Sequence, residues 1–191
     1  MNTNKIKMLM TLMCAALIVL GMVSGASALT ITPSTSPNWT GNTTANLDAA
    51  AIAVIVGYSP LVELYKQNVG EATDSGPFAS SYVTTFSNTP ADPSNALIDY
   101  ISGPSISGGP LYLYVKDGNN EPAYYIFGLN YTGAPAWNGT DDLILQNFWT
   151  GNGSISHVAI YGPTTAVPEP LTMLLLGLGL VGVAGVRRFR K

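Results

Sequence analysis

Leu111-Tyr112-Leu113-Tyr114-Val115-Lys116 and Ala123-Tyr124-Tyr125-Ile126-Phe127-Gly128-Leu129 lie on either side of Asp117-Gly118-Asn119-Asn120. In these two runs residues such as Tyr112, Tyr114, Tyr124 and Ile126 alternate with their neighbours at the two-residue period of a strand. Asp, Gly and Asn tolerate the positive φ of a tight reversal. The stretch therefore predicts a β-hairpin.

The same punctuation extends outward. Further apolar runs bounded by Gly, Pro, Asn and Asp predict strands at 61–69, 80–87, 96–102, 143–148 and 155–161, beside the hairpin strands 111–116 and 123–129. Residues 46–56 form the one helix candidate: Asn46 could cap it, Asp48 favours its positive end and Gly57 could close it. Residues 34–44 are polar apart from Trp39 and read as a leading loop or edge strand. Short strands with frequent turn signals point to an all-β domain, a mainly antiparallel sandwich or jelly roll with one short helix near its start.

Charge is unevenly placed. Of 8 Lys+Arg, only Lys66 and Lys116 lie between the two ends, against ten acids there, the chain's 11 less Glu169. The body carries a charge near −8, while the whole chain sums to −3. Such a body does not bind nucleic acid, which requires a basic face. The chain's 1 cysteine, Cys14, lies in the N-terminal apolar run, so the body offers no disulfide, Cys-ligated metal or thiol nucleophile.

Chemistry in the body is sparse. His157 is the 1 histidine, with Ser154 and Ser156 close by in sequence. A catalytic reading makes it a general base near a serine, oriented by Asp141 or Asp142. The simpler reading is a strand histidine, since no G-x-S-x-G elbow is present. One histidine cannot build a zinc site. Asp117, Asn119, Asn120 and Glu121, or Asp141 and Asp142, could give calcium oxygen ligands, but their spacing is not that of an EF-hand and turn chemistry accounts for the first group. No cofactor is implied beyond that. Among the aromatics, Trp137 in Pro-Ala-Trp-Asn-Gly is the best candidate for an exposed glycan contact; the others suit the core. N-x-S/T sequons at Asn38, Asn42, Asn130, Asn138 and Asn152 mark loops.

The two ends read as addresses. Lys5 and Lys7, an apolar run over 8–23 and Ala26-Ser27-Ala28 form a secretory signal peptide, cut by signal peptidase after Ala28. At the other end, Pro168-Glu169-Pro170 precedes an uncharged run over 171–186, and Arg187, Arg188, Arg190 and Lys191 follow it. A helix over 171–186 is about 24 Å long, short against a hydrocarbon core of about 30 Å, with the arginines able to snorkel to the interface. Proline cannot continue a helix upstream, so Pro-Glu-Pro is extended and accessible at the membrane surface. Basic residues beside both apolar segments keep both ends cytoplasmic during insertion and the body exported. The expected organisation is signal peptide 1–28, domain 29–162, tether 163–167 and a terminal signal 168–191 in which the basic residues stop transfer.

This tail resembles the PEP-CTERM sorting signal of Gram-negative bacteria, which the membrane protease-transpeptidase exosortase processes. "YLYVKDGNNEPAYYIF", "WNGTDDLIL" and "GSISHVAIYG" also resemble a body domain carried by many such proteins. The resemblance implies an exported chain, held transiently in the inner membrane with exosortase as partner, then placed at the cell surface or in the extracellular polysaccharide matrix of a biofilm. It implies no catalytic residues. The expectation is a non-enzymatic surface protein. The alternatives are a lectin-like polysaccharide-binding module and a plain single-span anchored ectodomain, with a polysaccharide hydrolase last.

Overall fold

The computed structural model describes residues 28–36, 38–87, 92–117, 120–130, 136–151 and 153–163. The hairpin is there: β6 (Tyr112–Lys116) pairs antiparallel with β7 (Tyr124–Gly128), from Tyr112 opposite Gly128 to Lys116 opposite Tyr124. Asp117 N–H donates to Ala123 O at 3.0 Å and closes the loop. Gly118 and Asn119 lie outside the described residues.

β6 is also paired on its other side, with β9 (His157–Gly162). β2 (Asn38–Gly41) and β3 (Val62–Asn68) complete an antiparallel sheet of order β2-β7-β6-β9-β3. The second sheet holds β1 (Ala28–Ile31), β8 (Asp142–Leu145), β5 (Asn95–Tyr100) and β4 (Tyr82–Ser87), in the order β1-β8-β5-β4. The alternation read from the sequence sorts each strand between two environments. Leu113, Val115, Phe127, Val158 and Ile160 meet Ile31, Ile98, Leu143 and Leu145 of the second sheet in one core. Tyr112, Tyr114, Tyr124, Ile126, Ala159 and Tyr161 point the other way, into a second cluster with Ile52, Ala53 and Val56. Those last three belong to α1 (Ala49–Val56), which lies over the outer face of the five-stranded sheet. β6 and β9 are therefore buried on both faces, while β5 and β8 alternate between core and surface.

Local chemistry explains the boundaries. The Asp48 carboxylate accepts from Ala51 N–H at 2.8 Å, so Asp48 rather than Asn46 caps α1. Gly57 stops the helix at φ 71°, a left-handed conformation that only glycine adopts without strain. A bulge between Glu63 and Tyr65 lets both Leu64 and Tyr65 face the inter-sheet core.

The sheets are mainly antiparallel, as expected, with one exception. β1 pairs with β8 in parallel, Ala28 opposite Asp142 and Ile31 opposite Leu145, so the second sheet is not wholly antiparallel. No hairpin turn joins β1 to β8, which lies more than a hundred residues further on, and burial of Ile31 in the inter-sheet core fixes the face that β1 presents. The strand also begins at Ala28, a residue assigned above to the signal peptide. The run 34–44 contains the edge strand β2, as one of its two readings required.

The loops at one end of the two sheets are tied together. Tyr82 OH donates to Gly139 O at 2.6 Å and accepts from Ile106 N–H at 2.7 Å. Asn130 Oδ1 accepts from Leu111 N–H at 2.6 Å. Gly109 packs so closely on Pro163 that a Cβ there would lie 2.5 Å from the proline Cγ. The end of β9, where the chain leaves for its tail, is thereby fixed against the 103–110 loop. Among the described residues no helix is long and apolar enough to cross a membrane; the span expected at 171–186 lies outside them.

Candidate functional site

A recess with several charged and polar side chains opens where the start of α1 meets β3 and β9. Asn46, Asp48, Glu63, Lys66 and Tyr161 line a cleft of about 410 Å³. Glu63 is held from two sides: Ser75 Oγ donates to Oε1 at 2.9 Å, and the Tyr161 hydroxyl reaches Oε2 at 3.5 Å. Burial, then the negative charge of Glu63, raises the Tyr161 phenol well above its ordinary range, so it remains a neutral hydrogen-bond donor. Lys66 supplies a cation at the same rim. The cleft thus presents a carboxylate, an ammonium and a hydroxyl at close quarters, a set suited to a polyhydroxylated ligand. The sequence marks Asn46 and Asp48 as helix-start residues and Lys66 as one of two body cations, but does not bring them together with Glu63 and Tyr161, because β3, β9 and the α1 leader are far apart along the chain.

A second recess of similar size lies beside β3 and β4, where Asp74 Oδ2 accepts from Tyr65 OH at 3.1 Å and Tyr65 OH bonds Thr84 Oγ1 at 2.7 Å. There Tyr65, Asp74 and Thr84 are engaged with one another, while the buried Gln67 Oε1 has no hydrogen-bond partner among the described residues.

His157 is a buried strand residue, 5% exposed, with its ring 5.4 Å from that of Tyr114. Ser156 Oγ lies 3.3 Å from its Nδ1. Burial, followed by the charges of Lys66 and Lys116, pushes the imidazole down to about 4. Asp141 and Asp142 belong to the other sheet and its preceding loop, across the inter-sheet core, so the acid–histidine–serine arrangement does not assemble. Lys116 is buried beside it, and its ammonium donates to the carbonyls of Thr43, Ala123 and Asp117. The Asp117 carboxylate accepts from Asn120 Nδ2 and from Ser154 N–H, each at 3.0 Å. It pins the hairpin loop to the approach to β9. Asn119 lies outside the described residues and Glu121 is exposed. Among the described residues no group of three His, Cys, Asp or Glu side chains is arranged to hold a metal.

The expectation that Trp137 is an exposed glycan contact is corrected. Trp137 is 4% exposed, its indole N–H donates to Asp141 O at 2.6 Å, and its ring lies 6.1 Å from Tyr82 in the inter-sheet core. The loop composition suggested exposure, but the indole fills the end of the sandwich. Trp39 and Trp149 are half-buried, edge-on to Tyr112 and Tyr125. Of the sequon asparagines, Asn138 takes a loop role, its Oδ1 accepting from Thr140 N–H and Asp141 N–H, each at 2.8 Å, whereas Asn38 opens strand β2, its Nδ2 donating to Thr35 O at 2.8 Å; Asn152 lies outside the described residues.

The sorting residues Pro168, Glu169, Pro170, Arg187, Arg188, Arg190 and Lys191, and Ala26 of the signal junction, lie outside the described residues. Comparison with known families matches residues 166–191 to the PEP-CTERM protein-sorting motif. No curated protein and no solved structure matches the chain. The chain therefore carries a PEP-CTERM sorting motif at its C-terminal end. The motif implies export through membrane-anchored sorting to the cell surface, with exosortase as the processing partner.

Proposed function

We propose that this chain is a non-enzymatic display protein that exosortase releases from its membrane anchor to the cell surface or into an extracellular polysaccharide matrix, in a biofilm-forming Gram-negative bacterium. The match at 166–191 carries this reading. Fold geometry supports it. Pro163 is packed against Gly109, and Pro168 follows five residues later. At about 3.5 Å per residue, the cleavage motif lies within about 17 Å of the folded body. The body is then presented at the membrane as a finished domain on a short tether. The buried His157, apart from Asp141 and Asp142, supports a non-catalytic body.

The test is the mature C-terminus, by mass spectrometry of protein from the native host. A chain ending within 167–170, with a Pro168→Ala/Glu169→Ala/Pro170→Ala variant that keeps Lys191 and stays in the membrane, supports sorting. Intact Lys191 in the mature wild type makes it a plain anchored ectodomain.

A lectin-like reading also has an observation in its favour, the Glu63–Lys66–Tyr161 cleft, although not through Trp137. Binding of matrix polysaccharide to the mature protein, lost in Lys66→Ala and Glu63→Gln, would support it. Binding that survives both changes would count against this cleft.

A further inference from the structure

Asp142 stands at the first position of β8 and Ala28 at the first position of β1, and the two are register partners. Across the other side of β8, Ile98 faces Leu143, which brings Asp99 beside Asp142. Asp141 adjoins them in sequence. Burial, followed by the hydrogen bond and charge of Asp99, holds the Asp142 carboxyl above the usual range. This is how a carboxylate behaves when its negative charge has no nearby cation.

The body has only two side-chain cations to offer. Lys66 lies on β3 and Lys116 on β6, both in the other sheet. Lys116 is moreover bound to three carbonyls.

Ala26-Ser27-Ala28 supplies a different cation. Hydrolysis of the Ala28–Leu29 bond consumes one water, leaves the new carboxylate on Ala28 and frees the amine of Leu29. That amine takes up a proton, because an α-amino group titrates near 7.7–8.0. Neighbouring strands are about 4.8 Å apart. In the parallel ladder Leu29 directly follows the register partner of Asp142, so its amine would stand at the end of β1 beside the Asp142 position. We infer that the Leu29 α-ammonium, once freed by signal-peptide removal, is the counter-ion of the Asp99–Asp142 carboxylate pair and locks strand β1 onto β8. Before cleavage the position is a neutral amide and gives the Asp99–Asp142 pair no counter-charge. Removal of the leader thus completes the second sheet, so that export and final stability are coupled. The inference rests on cleavage after Ala28.

The experiment uses the mature protein from its host. N-terminal sequencing comes first, then titration of the α-amine by competitive amine labelling across pH, in wild type, Asp142→Asn and Asp99→Asn. In the wild type the amine should titrate about one unit above 7.7–8.0, a tenfold gain in proton affinity, and fall back in Asp142→Asn. Acetylating the amine should lower the melting temperature of the wild type but not that of Asp142→Asn. If Asp142→Asn fails to accumulate, Asp99→Asn gives the same readout, with a smaller fall. A free Leu29 that titrates in the ordinary range, with acetylation leaving both melting temperatures unchanged, overturns the inference alone. A mature chain beginning elsewhere overturns the cleavage reading and the inference with it.

Discussion

His157 shows how a residue of catalytic type becomes a structural one. Its ring is enclosed on the outer face of the five-stranded sheet, near Tyr114 and two lysines. Its pKa in the unfolded chain is about 6.5, and burial brings it to about 4 in the fold. Because the folded value is the lower one, the unfolded state binds the proton first as pH falls. Stability is thus complete above about pH 6.5 and is lost between there and about pH 4, by up to about 3 kcal/mol. Denaturant melts at pH 7 and pH 4.5 should show this loss, and His157→Gln should reduce it. A loss of the same size in the variant would assign the acid sensitivity to the carboxylates. Trp137 makes the same point for binding. Trp137→Ala should cost about 3–5 kcal/mol in unfolding free energy, as for a large core residue. A near-neutral melt would return Trp137 to the surface.

At the scale of elements, α1 stays in place by two means. Its residues Ile52, Ala53 and Val56 bury against the outer tyrosines of β6, β7 and β9. Its first turn is held by the Asp48 cap. Eight residues are too few for a stable helix in water, so packing supplies most of the stability. Asp48→Ala should cost about 1 kcal/mol, measured as a fall in denaturation midpoint at unchanged slope. The hairpin loop is fixed differently, by one carboxylate. Gly153 sits at φ 115°, with the Asp117 carboxylate and Asn120 where a Cβ would go. Gly153→Ala should therefore displace Asp117 from Ser154 N–H and lower the melting temperature by more than Gly70→Ala, whose position is open. Equal effects would show that only backbone strain matters at Gly153.

Across the whole molecule, sorting and folding meet at one end. The last strand among the described residues, β9, lies between β6 and β3, not at an edge. The tail therefore leaves from an interior strand, paired on both sides, and not from a free edge. Deleting 168–191 should leave the body folded and divert it from membrane fractions to soluble ones. Cell fractionation with circular dichroism of the released protein would check this. A truncated chain that is released unfolded would mean that the anchor contributes to folding.

Strand positions were legible from sequence because the two-residue period and the Gly, Pro, Asn and Asp breaks are local signals. All seven body strands predicted from it are present, with ends shifted by a few residues. The sorting motif was legible for the same reason: Pro-Glu-Pro, apolar run and basic end are contiguous, and the family match falls on them. Non-local pairing was not legible. The parallel β1–β8 ladder, the double burial of β6 and β9 under α1, and the enclosure of Trp137 depend on which strands meet. So does the Glu63–Lys66–Tyr161 cleft, and so does the meeting of Ala28, Asp99 and Asp142. A side chain's burial and its partner's charge are set by residues tens to more than a hundred positions away, and no spacing along one chain records that distance.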